Sequence, residues 1–304
     1  MFLVRVLVIL AFAVAARADQ PGLATPDPVR AFGYLKQICD LGPRISGSAA
    51  MEKQQELLRK HFTDLGAQVA AQEFDVRHPE TGLPVRMRNL IVSWQPEAKR
   101  RALIGCHYDT RPFPDQETLP QYRREVFLGA NDGASGVALL MEMAHFMKDR
   151  PTPLGIDFVF FDGEELVYNN MRDRYFHGSE FFAGQYRNNP PPYRYVAGVL
   201  VDMIGDKDLE IYIEKFSARY APQVTESLFQ VAKELKVKEF VARKRHEVRD
   251  DHIPLNEIAR IPTCDLIDFD YPYWHTRNDL PAACSGESLS KVGRVLLAWM
   301  DRYK

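Results

Sequence analysis

The sequence predicts an α/β fold: a single domain with a mixed, mostly parallel central sheet and helices on both faces. Three observations predict it. Apolar runs of strand length recur between helix-length segments, at 102–106, 154–161, 196–201 and 262–267. These runs are near-continuous rather than alternating, the pattern of strands covered on both faces. Most of them are followed directly by a carboxylate or an imidazole. In open α/β sheets ligands gather outside the carboxyl ends of the strands, so such groups should converge on one crevice.

Residues 1–18 read as a signal peptide. One early charge, Arg5, precedes the apolar core 6–16, and Ala16-Arg17-Ala18 fits an A-x-A cleavage site. That core is too short to span a bilayer comfortably. Export to the periplasm or the medium follows, and 19–304 is left as one catalytic domain. Within it, 28–41 and 51–65 are expected as helices, the second stopped by Gly66. Segments 88–94 and 102–106 are expected as strands. The stretch 110–128 is long, polar and Pro-bearing, and reads as an active-site loop or a plain surface insertion. Segment 135–149 is expected as an amphipathic helix, because Val137, Leu140, Met141, Ala144 and Met147 recur at helical spacing. Strands are expected at 154–161 and 196–201, an alternating strand at 209–213, a helix at 221–235, a strand at 262–267 and a closing helix at 288–303. Strands alternating with helices imply a doubly wound sheet.

The formal charge is −2, and removing Arg5 and Arg17 makes it −4. Nothing in that balance calls for nucleic acid or an anionic membrane as a partner. The four cysteines, Cys39, Cys106, Cys264 and Cys284, contain no CxxC, which argues against a thiolate metal site. An export signal permits disulfides. Cys264 and Cys284 flank His275 and are the expected pair; buried free thiols are the alternative.

Glu164-Glu165 is the sharpest local signal. Two adjacent carboxylates at a strand end point in different directions, so one can hold a metal while the other stays free as a proton carrier. A solvated acidic pair is the ordinary alternative, but this pair follows a very apolar strand and the turn Asp162-Gly163. Asp132 is bracketed by Gly129, Gly133 and Gly136, which suits either a metal ligand or a helix cap. His275 follows Trp274, a candidate pocket wall, and Asn278-Asp279 is placed to orient its imidazole. His107 and Asp109 form H-x-D at a strand end, either a ligand with its supporting acid or a structural pair. Asp202 and the run Asp250-Asp251-His252 complete the candidates; His61, His78, His145, His177 and His246 receive no role.

In order along 102–279, HYD, GANDGASG, FFDGEE, HGSEFF, VDMIGD, DDHIP and WHT resemble the M28-type zinc aminopeptidase fold. Within it they look most like the glutaminyl cyclases, in their bacterial members related to the animal enzymes. The resemblance implies one zinc per chain on Asp132, Glu165 and His275, with Glu164 as general acid/base. It implies that Asp202 and Asp250 hold the proton network around Glu164, and that Trp274 walls the substrate pocket. The implied reaction is cyclisation of the N-terminal glutamine of peptides or proteins to pyroglutamate with loss of ammonia, an acyl transfer. His107, Asp132, Glu165, Asp202 and His275 also match the five ligands of a two-zinc M28 aminopeptidase, which remains the alternative; a non-catalytic ectodomain is a further one. Trp-His-Thr and Asp-Asp-His-Ile-Pro favour the cyclase. The animal enzymes carry a Trp shortly after the acidic pair where this chain reads 166–170 without one, so that wall is expected from 110–128. A monomer is the expected state.

Overall fold

The computed structural model describes residues 24–303; the leader expected at 1–18 lies outside them. Among the described residues eight strands form: β1 (Gln68–Arg77), β2 (Pro84–Trp94), β3 (Arg100–His107), β4 (Gly155–Phe161), β5 (Arg194–Asp202), β6 (Ile211–Ile213), β7 (Phe240–Lys244) and β8 (Thr263–Ile267). The helices among the described residues are α1 (Pro28–Cys39), α2 (Ala49–Asp64), α3 (Ser135–Met143), α4 (His177–Asn188), α5 (Lys215–Tyr220), α6 (Pro222–Glu234), α7 (His252–Glu257) and α8 (Gly286–Met300). The main sheet runs β1-β2-β4-β3-β5-β8. β1 and β2 join antiparallel, while β4, β3, β5 and β8 are parallel. The expected mixed, mostly parallel sheet is therefore what forms.

Alternation along the parallel strands feeds two separate cores, one on each face. Ala102, Ile104 and Cys106 of β3 pack with Phe158 and Phe160 of β4 in the larger cluster. Leu103, Val159, Phe161 and Leu200 turn to the opposite face and join Phe182 of α4 and Leu255. Both faces are thus covered, which is why the strands read as continuous apolar runs.

The differences from expectation have physical causes. β1 carries Glu73, Asp75 and Arg77 and is half exposed at the sheet edge, so no apolar run marks it. α3 ends at Met143, before a 3-10 turn, and every residue in it is buried. It is apolar all round rather than amphipathic. Its Glu142 is neutralised by Arg30 of α1, at 2.5 and 2.7 Å. The expected Cys264–Cys284 disulfide does not form: all four cysteines are buried free thiols, Cys264 lying within β8.

Candidate metal and catalytic site

Parallel β3, β4, β5 and β8 end on one side of the sheet, and their tails supply the site. His107 closes β3, Glu164 and Glu165 follow β4, Asp202 closes β5 and His275 lies beyond β8. Asp132 arrives on the loop before α3. A cavity of about 370 Å³ opens there, with Asp132, Glu164, Glu165, Asp202, Asp250 and His275 in its lining. Groups separated by up to 143 residues in sequence, from Asp132 to His275, therefore face one space.

Two donor sets share Asp132. Asp132, Glu165 and His275 each offer an atom within 4.8 Å of the others, and so do His107, Asp132 and Asp202. His275 Nε2 lies 2.8 Å from Glu165 Oε1 and 3.4 Å from Asp132 Oδ2. His107 Nε2 lies 3.2 Å from both Asp132 Oδ1 and Asp202 Oδ1. Asp132 Oδ2 is buried with no hydrogen-bond partner. An orphaned carboxylate oxygen at the centre of two converging donor sets is the mark of a metal position.

Backbone geometry fixes this arrangement. Gly129 and Gly133 have φ of +60° and +102°. A Cβ at Gly133 would stand 2.6 Å from the Asp109 carbonyl oxygen, and one at Gly129 2.3 Å from that of Asp132. The turn that presents Asp132 needs glycine on both sides. Asp132 is not a helix cap: Ala134 precedes α3, without a side-chain capping bond. Phe176, Met203 and His275 are non-glycine residues with φ of 63°, 47° and 53°, and all three line the cavity. Left-handed backbone on such residues is strained, and it concentrates here.

Acids behind the site hold its parts. Asp109 accepts from the backbone N–H groups of Glu164 at 3.2 Å and Glu165 at 3.0 Å, so it aims the acidic pair. Its Oδ1 lies 3.7 Å from His107 Nδ1. Asp279 accepts from the N–H groups of Asn131 and Asp132 rather than orienting His275. The orienting acid is Asp115, whose Oδ1 lies 3.0 Å from His275 Nδ1. Asp115 sits in 110–128, which is thus part of the site. Sequence reasoning missed Asp115 and Arg111, the latter bonded to both oxygens of Glu165; the only available signal was their closeness to the HYD motif.

The wall expected from 110–128 is built instead by Tyr175 and Phe176, just before α4. Trp274, also in the lining, stacks on His275, with ring centroids 4.1 Å apart, and meets Phe269 at 5.2 Å.

Electrostatics sort the acids. Burial, then the Glu165 charge, pushes Glu164 well above the usual carboxylate range. Burial would raise Glu165 too, but His275 and Arg111 outweigh it and hold Glu165 at about 2. Burial and the neighbouring Asp202 and Asp251 raise Asp250 strongly. Burial would lower His275, yet Glu165 and Asp115 raise it to about 9. One acid of the adjacent pair is set to carry a proton, the other to stay charged.

Comparison with known proteins follows the same lines. The model of Peptidase family M28 matches residues 89–300. The solved Fimbriiglobus ruber glutaminyl cyclase is 46% identical with a TM-score of 0.90, covering 95% of this chain and 100% of that one. A Bacteroides thetaiotaomicron glutaminyl cyclase bound to N-acetylhistamine is 30% identical with a TM-score of 0.87, covering 93% and 100%. A glutaminyl-peptide cyclotransferase of Gloydius blomhoffii is 28% identical over 248 residues, 71% of this chain and 65% of that protein. The chain thus spans about two thirds of the length of that relative.

Proposed function

We propose, on the premise that this chain belongs to peptidase family M28 and to its glutaminyl cyclases, that it converts the N-terminal glutamine of peptides or proteins to pyroglutamate. The single observation that carries the reading is the split acidic pair: Glu165 faces His275 and Asp132, while its neighbour Glu164 lines the cavity with its pKa raised.

Asp132, Glu165 and His275 would hold one zinc ion per chain. Two carboxylates and an imidazole are oxygen and nitrogen donors that zinc takes. Asp115 directs Nδ1 of His275, leaving Nε2 for the ion. Bound zinc supplies Lewis-acid polarisation of the glutamine γ-amide carbonyl.

The chain's own residues do the rest. The cavity holds the glutamine so that its α-amine faces the carbonyl carbon of its own γ-amide, and an intramolecular attack gains most from such orientation. Glu164 accepts a proton from the attacking amine. As the new N–C bond forms and the old C–N bond breaks, Glu164 returns that proton to the departing ammonia. Asp202 and Asp250 line the same cavity and would hold its proton network. Trp274 and Phe269 form one wall, Tyr175 and Phe176 the other. The leader 1–18 would export the enzyme, and among the described residues no helix is long and apolar enough to cross a membrane.

A second reading is favoured by one observation, the His107–Asp132–Asp202 donor set. Filled with a second zinc, it would give a two-metal aminopeptidase. In the cyclase reading that set would take no second ion, His107 Nε2 lying 3.2 Å from both Asp132 Oδ1 and Asp202 Oδ1. The test is incubation with a short Gln-initiated peptide followed by mass spectrometry. Loss of ammonia at unchanged chain length, with one zinc per chain, supports the cyclase. Release of a free N-terminal residue, with two zincs, overturns it.

A further inference from the structure

We infer that Arg111 is a positioning residue that ties the metal-holding groups to the aromatic wall of the cavity. The inference rests on the reading that Glu165 and His275 hold a divalent metal.

Arg111 follows the HYDT segment that ends β3 and is buried to 1% exposure. Its backbone N–H donates to Glu165 Oε2 at 3.0 Å, and Nη1 donates to Glu165 Oε1 at 3.1 Å. Both oxygens of that carboxylate are thereby held from behind. Guanidinium offers donors only and stays protonated, so it fixes the carboxylate without competing for a metal.

The same side chain reaches the imidazole through one acid. Arg111 Nε lies 2.8 Å from Asp115 Oδ1, and Asp115 Oδ1 lies 3.0 Å from His275 Nδ1. Its Nη2 donates to Asp115 Oδ2 at 3.4 Å, an oxygen that also accepts from Asn170 Nδ2 at 2.6 Å. Nη2 further donates to Asn170 Oδ1 and, at 3.4 Å, to the hydroxyl of Tyr175. Tyr175 lines the cavity. One planar fork therefore sets two of the three candidate ligands and the wall that faces the peptide.

An ordinary buried ion pair would matter for stability alone. A positioning residue would also change metal affinity and the Michaelis constant, in proportions that depend on which arm is cut. Lysine keeps the charge and loses the fork. For Arg111→Lys we expect zinc affinity, measured by chelator competition, to fall roughly 10- to 100-fold, the usual effect of losing a ligand's supporting partner. KM for a Gln-initiated peptide should rise as well. Tyr175→Phe cuts only the wall arm and should raise KM with zinc affinity unchanged. Asp115→Asn removes the charge that joins Arg111 to the imidazole and should weaken zinc; it serves if Arg111→Lys does not fold. Zinc affinity in Arg111→Lys, or failing that in Asp115→Asn, equal to the parent's overturns the inference alone. A parent chain that binds no zinc overturns the metal reading and this inference with it.

Discussion

Asp279 holds the backbone of Asp132, 147 residues earlier in the chain, by accepting its N–H at 3.1 Å. It also accepts from Asn131 N at 2.7 Å and from the Tyr271 hydroxyl at 2.8 Å. The loop carrying His275 thus braces the loop carrying Asp132, the carboxylate that both donor sets share. Asp279→Asn puts an NH₂ where an acceptor is needed and leaves a buried donor unpaired, at a cost of about 1–3 kcal/mol. We expect a lower melting temperature and zinc affinity reduced roughly 10-fold or more, read by chelator competition.

Glu164→Gln keeps size and removes proton transfer. Turnover of a Gln-initiated peptide should fall by about 10²- to 10⁴-fold, with zinc content unchanged by metal analysis. Loss of zinc in this variant would mean that Glu164 and Glu165 have exchanged roles.

Gly133→Ala meets both a φ of +102° and a carbonyl oxygen 2.6 Å from the new Cβ. The turn must open, and Asp132 must move with it. A destabilisation of about 1–3 kcal/mol is expected in chemical denaturation, with weaker metal binding. The same exchange at Gly184, where a Cβ meets nothing within 4 Å, should leave zinc binding unchanged.

Asp162 is fully buried, and burial, then the charge of Asp109, raises its pKa to about 7. The folded state keeps this proton when the unfolded chain has already lost it. Stability from this group therefore falls as pH rises from about 4 to about 7, by at most about 1.4 kcal/mol per unit, and levels off above that. In Asp162→Asn the side-chain amide can donate to Ser46, now 2.7 Å from Oδ1, as the protonated acid would. The variant should gain stability relative to the parent between pH 5 and pH 8. A difference independent of pH would refute the assignment.

The parts of the fold legible in the sequence were those with a periodic or continuous apolar signal, such as β3, β4, β5 and α8. β1 was not, because its register is set by pairing with β2 along ten residues rather than by an apolar face. His107, Glu164, Glu165 and Asp202 were legible because each stands at or just after a strand end, Asp132 by its flanking glycines and His275 by its Trp-His-Thr context, and the structure gathers His107, Asp132, Glu165, Asp202 and His275 into two donor sets that share Asp132. Their supports were not. Asp115 is an unremarkable loop acid until the chain brings it to His275, and nothing in Asn278-Asp279 reveals that Asp279 turns to Asp132 instead. Such pairings depend on how loops cross, which spacing alone does not encode.

Glu164, Glu165 and Asp202 come from the ends of strands, whereas the cavity's aromatic residues come from 175–176 and 269–274, outside the sheet. Phe176 and Phe269 can be exchanged there without cutting a side-chain bond to the acids, whereas Tyr175 is tied to Arg111 and Trp274 stacks on His275. A lineage carrying this scaffold can therefore shift which peptides it accepts while inheriting the same chemistry, and divergence among its members should be sought in those two segments first.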